Sequence, residues 1–312
     1  MLLPAASRDA YFAVRAFNVE LASIKDGHNI RNRGMAPPDN QLVASSGIPP
    51  TFALQMRMHW WRNAIDAIYN NDRENRRQHQ SSLAGSLSIS CWNSPVVRAM
   101  DRANVQWNWT RRFLERMLDA REIDLEHRQP RTVNDCVAYA DETVSSLLYL
   151  TLECTGVRDD AADRVAGLAG IGIGLATTQL RATPFRLLHG GEVPLPAELF
   201  RPDFPYHQLL PKGEPSDRDI VLTESDGHML RDAVRHVAHT ATQHLIEAQT
   251  LQGQVPRAGR VCLLPVIPAL TYLSKLEHAD YNLFDASVTS GSPSDRLKLL
   301  FRLGRTWATG VF

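Results

Sequence analysis

No surplus of either charge marks this chain: 34 lysines and arginines stand against 34 aspartates and glutamates in 312 residues. Phosphate-tracking proteins need a basic excess, so the balance excludes nucleic acid as an expected partner and leaves only a local patch for a membrane surface. Cysteine is equally scarce. Cys91, Cys136, Cys154 and Cys262 lie far apart with no C-x-x-C pair, which argues against a disulfide framework and a thiolate metal site and reads as buried free thiols in a reducing compartment. No window approaches the roughly 18 uninterrupted apolar residues of a spanning helix. Asp9, Glu20 and Asp26 fall within the first thirty residues, against an acid-poor presequence, so none is visible in this chain. Alternating, β-branched strand patterns are missing too.

What remains is helical periodicity. Ser7 or Asp9 can cap a helix through about Lys25, with apolar positions from Tyr11 to Ile24 covering more than one stripe. Further helices are expected at about 51–69, 95–120, 132–156, 159–182, 222–250, 257–277 and 294–308. Thr132 is a capping candidate and Gly156 a stop for the helix at 132–156. Three segments are loop-rich, at about 27–50, 70–94 and 201–221, and no internal repeat is visible. The expected architecture is all-α, in one domain over residues 1–312.

The most informative stretch is Asp163 to Glu192, which contains no carboxylate between its ends. Gly167, Gly170 and Gly174 share a helical face on which a neighbouring helix can approach closely. The G-I-G-I-G at 170–174 follows no strand, so close packing rather than a nucleotide loop is the reading. Pro184 stops or kinks this helix, and Gly190-Gly191 turn the chain towards Val193-Pro194-Leu195-Pro196. His236, His239 and His244 are spaced three and five apart, which does not make a metal pair, and no nucleophile setting such as G-x-S-x-G occurs. Trp60, Trp61, Trp107 and Trp109 read as core and interface packing.

The small-residue helix running into Gln179-Leu180-Arg181, then Gly191, Val193, Leu195 and Pro196, resembles the squalene/phytoene synthase superfamily. There the helix ends in aspartates that bind metal; here the corresponding positions hold Ala182, Thr183, Pro184 and Phe185. In YFAVRAFNVELASIKD the family pattern of Arg, Asp and Asp falls on Arg15, Asn18 and Ala22. A Mg²⁺–diphosphate site needs paired hard-oxygen ligands on facing helices, so the resemblance implies the frame of the enzymes without their metal clusters.

One branch matches more specifically. LPAASRDAYFAVRAFNVELASIKD, LQMRMHWWRNAIDAIY, YADETVSSLLYLTLECTGVRD and LRATPFRLLHGGEVPLP are similar to the mitochondrial NADH dehydrogenase (complex I) assembly factor 6 family. That resemblance implies an isoprenoid-synthase-type helical bundle around a central cavity, in a pseudoenzyme on the matrix side of the mitochondrial inner membrane. Its implied partners are complex I assembly intermediates or other assembly factors, with peripheral inner-membrane association and an isoprenoid or lipid as the ligand the cavity would take. No catalytic residue, metal or cofactor is expected. Arg15, Asn18, Arg62, Ser145, Gln179 and Arg181 are the candidate vestigial-cavity positions. Two other readings stay open: a transferase acting on isoprenoid diphosphates, and a non-catalytic isoprenoid or lipid carrier.

Overall fold

The computed structural model describes residues 3–32, 50–70, 91–126, 129–187, 192–206, 209, 223–289 and 293–309. Among these residues every regular element is helical. Their contacts divide into two compact units, Leu3–Glu126 with Tyr149–Arg158, and His127–Leu148 with Asp159–Phe312. The loop expectations at 33–49 and 71–90, the Gly190-Gly191 turn and most of 201–221 lie outside the described residues.

The first unit holds α1 (Ala5–Asn32), α2 (Pro50–Tyr69), α3 (Pro95–Trp107) and α4 (Arg111–Glu126). α1 starts before the expected caps: Ser7 is buried in its first turn and donates its backbone N–H to Pro4 O. It also runs past Gly27, where a loop was expected. The helix expected over 95–120 is two helices. Asn108 adopts left-handed geometry (φ 49°) and closes α3, a role its short polar side chain tolerates. α1 packs against α2, α3 and α4, and α4 also packs against α2. Phe17 and Trp61 meet edge to face at 5.1 Å, with Met100, Leu114, Met117 and Leu118 also buried in this unit. Each such side chain contributes about 1.5–3 kcal/mol by leaving water.

The second unit is organised around α7. Before it come α5 (Val133–Ala140), a π-helical turn at Asp141–Ser145 and α6 (Ser146–Glu153), of which Tyr149 onward belongs to the first unit. Thr132 caps α5 as expected: its Oγ1 accepts from Asp135 N–H at 3.1 Å, while Asp135 Oδ2 accepts from Thr132 N–H at 3.0 Å. Gly156, at φ 75°, ends this helical run where a side chain would be strained. α7 (Asp160–Gly174) starts at Asp159, whose Oδ1 accepts from Ala162 N–H at 2.8 Å.

The glycines of α7 set its approach to both neighbours. A Cβ on Gly174 would lie 2.5 Å from Ala140 Cβ, and one on Gly170 would lie 2.6 Å from Ser145 N. On the other side, a Cβ on Gly172 would lie 2.5 Å from Leu245 Cγ and 2.8 Å from Ala241 O of α9 (Glu224–Leu251). G-I-G-I-G is therefore a packing device on two faces of one helix. α7 then widens into a π-helical stretch, Leu175–Arg181, where Ala182 N–H reaches back to Thr177 O. Thr177 and Thr178 hydroxyls donate to Ile173 O and Gly174 O at 2.7 and 2.6 Å, the kind of back-bonding that bends helices. The stretch ends before Pro184, which sits in the short α8 (Thr183–Phe185).

After α9 the helix expected over 257–277 is divided. α10 (Arg257–Arg260) and a 3₁₀ turn at Val261–Leu263 precede α11 (Val266–His278), and Pro265 marks the break. A short α12 (Ala286–Thr289) leads to α13 (Pro293–Thr309), which packs on α11. All four cysteines are buried, and none is held in a disulfide. Burial pushes the Cys136 thiol up to about 12, so it is inert at neutral pH.

Candidate functional site

α1 carries Arg15 and Asn18 three residues apart, hence on neighbouring positions of one face. Asn18 Oδ1 accepts from Arg121 Nη2 of α4 at 3.1 Å. The Arg15 guanidinium stands 5.2 Å over the Tyr11 ring. Among the described residues, Arg15 Nε and Arg121 Nε are both buried without an acceptor. A guanidinium has only donors, so each such nitrogen is a place where an oxygen would be stabilising.

Arg62, on α2, is already engaged. Its Nη2 donates to Asp119 Oδ1 at 2.8 Å and Glu122 Oε2 at 2.6 Å, both from α4. The Asp119 hydrogen bond leads in raising its pKa, partial burial opposes, and Glu122 adds to the rise. Arg111 repeats the pattern, bonding Asp66 of α2 and, at 2.7 Å, Glu115 of its own helix. Lys25 Nζ donates to Asp124 O at 2.7 Å, with Asp124 Oδ1 3.1 Å away. α4 thus faces α1 and α2 through a column of charges. Because Arg62, Asp119 and Glu122 are partly exposed, each pair is worth at most about 1 kcal/mol. An anion reaching Arg62 would compete with two carboxylates already in place.

In the second unit, Ser145 is fully buried at the end of the first π turn and donates Oγ to Gly167 O at 2.9 Å. This bond ties the turn to α7 where the glycines allow close approach. Gln179, 5% exposed in the second π stretch, has its Oε1 buried without a donor among the described residues. Its backbone carbonyl accepts from the Thr183 hydroxyl. Arg181 is exposed two residues on. Tyr272, on α11, has its phenol pKa raised by burial, and the charge of Arg181 pulls it back down. The six candidates therefore fall three to a unit: Arg15, Asn18 and Arg62 in the first, Ser145, Gln179 and Arg181 in the second.

Two polar centres escaped the sequence reading. Glu153, 5% exposed, accepts from Thr110 N–H at 2.8 Å, Thr110 Oγ1 at 2.5 Å and Arg158 Nη1 at 2.6 Å. Arg158 also donates to Trp107 O at 3.1 Å and Asn108 O at 2.5 Å, so this knot clamps the α3–α4 turn. The available signal was an acid closing an apolar run, SLLYLTLE, since a buried carboxylate requires partners. In the second unit Asp226 is buried below Thr223: Arg201 Nη2 lies 2.6 Å from its Oδ1 without hydrogen-bond alignment, and Thr223 Oγ1 donates to Oδ2 at 2.6 Å.

Among the described residues no three or more His, Cys, Asp and Glu side chains converge on a metal-sized site. His236 and His239 are exposed, and His239 Nε2 lies 3.3 Å from Tyr281 Oη. The tryptophans Trp61 and Trp109 are buried, in keeping with packing.

Comparison with known proteins gives a consistent set of likenesses. The squalene/phytoene synthase family model matches residues 1–301. A Bos taurus protein named NADH dehydrogenase (ubiquinone) complex I, assembly factor 6 is 33% identical over 290 residues, covering 92% of this chain and 71% of that protein. The Homo sapiens protein of the same name is 31% identical over the same shares. Among solved structures, a dehydrosqualene synthase in complex with ligand aligns with a TM-score of 0.54 at 19% identity, covering 95% of this chain and 99% of that one. The last likeness shows the fold, an isoprenoid-synthase-type all-α architecture, and nothing about chemistry.

Proposed function

We propose that this chain, which belongs to the squalene/phytoene synthase family, is a non-catalytic assembly factor for mitochondrial respiratory complex I. The carrying observation is its similarity, across 92% of its length, to proteins named as assembly factor 6 of that complex. Its partners would be assembly intermediates or other assembly factors, and its place the matrix side of the inner membrane, held peripherally. Among the described residues no helix is long and apolar enough to cross a membrane.

The absence of catalysis is argued from the residues at the metal positions of the family. Asn18, Ala22, Ala182, Thr183, Pro184 and Phe185 offer no carboxylate, and the Thr183 hydroxyl is already directed at Gln179 O. Such a set does not fit Mg²⁺ bridged to a diphosphate, which needs hard anionic oxygens. We further read residues 1–312 as one domain whose two units melt in one cooperative transition.

Cells deprived of the protein should lose assembled complex I and regain it when the chain is re-expressed. Normal complex I content in its absence would overturn the reading. A second reading, an isoprenoid or lipid carrier, is favoured by the acceptor-less Arg15 Nε and Arg121 Nε, which an anionic head would satisfy. Lipid extracted from the purified chain, and lost when Arg121 becomes Met, would favour the carrier. Saturable, diphosphate-dependent Mg²⁺ binding would instead favour the transferase.

A further inference from the structure

α13, Pro293–Thr309, divides cleanly into an inner and an outer face. The inner line, at helical spacing, is Asp295, Arg302 and Thr306. Lys275 Nζ of α11 donates to Asp295 Oδ2 at 2.6 Å, Arg302 Nη1 donates to Thr271 Oγ1 at 3.0 Å, and Thr306 is buried. Diametrically opposite lie Leu297, Leu300, Phe301 and Gly304, at i, i+3, i+4 and i+7. Leu297, Leu300 and Phe301 are 69%, 65% and 73% exposed. A Cβ on Gly304 would meet nothing within 4 Å, so the face is open there too.

The charges flanking this face have one sign. Arg296 lies on one side of the apolar strip, and Lys298 and Arg305 lie on the other; all three are exposed. After Asp295, which is turned inward to Lys275, the sequence contains no acid. An apolar strip bordered by cations and free of acids has the build of a helix that lies in a membrane interface. Leu and Phe enter the acyl boundary while Arg and Lys reach the headgroups. A protein partner of ordinary composition would not require cations on both borders; an anionic lipid surface does.

We propose that the outer face of α13 is a docking surface for an anionic lipid membrane, with Leu297, Leu300 and Phe301 as the inserted residues and Arg296, Lys298 and Arg305 as the headgroup contacts. It rests on the peripheral placement proposed above and gives that placement a surface. The inner contacts with α11 leave the outer face free to engage without any change in the fold.

The test is co-flotation of the purified full chain with vesicles of phosphatidylcholine, alone or mixed equally with phosphatidylglycerol. The chain should float with the mixed vesicles, poorly with the neutral ones, and less as salt is raised. Replacing Leu297, Leu300 and Phe301 together by Ser should abolish flotation. Lys298→Gln and Arg305→Gln should each weaken it about fivefold. Because these side chains are exposed, helical content and thermal midpoint should be unchanged, which separates lost binding from lost folding. Flotation that survives the triple substitution overturns the assignment to α13 while leaving peripheral placement intact. No flotation of the unmodified chain overturns both. A change of oligomeric state in the triple variant, with flotation unaltered, would make this face an interface between copies and also overturn the proposal.

Discussion

Asn18 Oδ1 accepts a hydrogen bond from the Arg121 guanidinium at 3.1 Å, linking α1 to α4. The position that the family pattern would give to a metal-binding aspartate is thus coupled to a cation of the protein itself. A carboxylate there would meet that guanidinium before it met any added ion, and charge-assisted bonds are roughly twice as strong as neutral ones.

Asn18→Asp should therefore leave stability unchanged or raise it, and should not create diphosphate-dependent Mg²⁺ binding in calorimetry. Asn18→Ala, which strips a partly buried guanidinium of one acceptor, should cost about 1 kcal/mol in urea unfolding. Saturable metal binding by the aspartate variant would show that the old site needs only one restored ligand.

Glu153→Ala should be among the most damaging single changes in the first unit. It leaves Thr110 N–H and one arm of the half-exposed Arg158 without their acceptor, at a cost of about 1–3 kcal/mol. Glu153→Gln keeps the shape and part of the bonding, so it should cost less. Urea midpoints for the two variants, at unchanged m-value, decide the order.

Gly170→Ala should lower stability by about 1–3 kcal/mol, because its Cβ runs into the Ser145 backbone, which cannot turn aside as a side-chain tip can. Gly253→Ala is the control. Nothing lies within 4 Å of its Cβ, and it should be neutral or stabilising by about 0.4–1 kcal/mol. Thermal midpoints compare them directly.

Burial holds the His244 imidazole below its ordinary value, with Glu247 opposing. The unfolded chain therefore takes up this proton near about pH 6.5, the folded chain only at lower pH. In that window the unfolded state binds more protons, so this group makes stability fall as pH drops. His244→Gln should flatten the decline in urea midpoint between about pH 7 and about pH 5. An unchanged slope would mean that His244 titrates alike in both states.

The helices were legible wherever a signal was local. Thr132 and Gly156 mark ends that the chain chemistry alone dictates, and both act as expected. The break at Asn108 was not legible, since an asparagine inside an apolar pattern gives no sign that it will turn left-handed until Arg158 and Glu153 fix the turn around it. For the candidate positions, periodicity placed Asn18 and Arg62 on helix faces but could not supply α4 as their common partner. Arg121 lies 103 residues from Asn18, and Asp119 and Glu122 lie 57 and 60 residues from Arg62, so only packing brings them in. Ser145 is a candidate vestigial-cavity position in the sequence; that its hydroxyl donates to Gly167 O depends on the glycine face beneath it, which the sequence around Ser145 does not show.

The close approaches at Gly170, Gly172 and Gly174 also bear on inheritance. Every amino acid that a missense change can substitute for glycine carries a Cβ, so no mild replacement exists at these three codons. Their neighbours Ile171 and Ile173 can drift to valine or leucine with modest consequences for the core. Variants recorded along this helix should therefore alternate in severity with a period of two, a pattern that would look like a strand to anyone reading phenotypes without the fold.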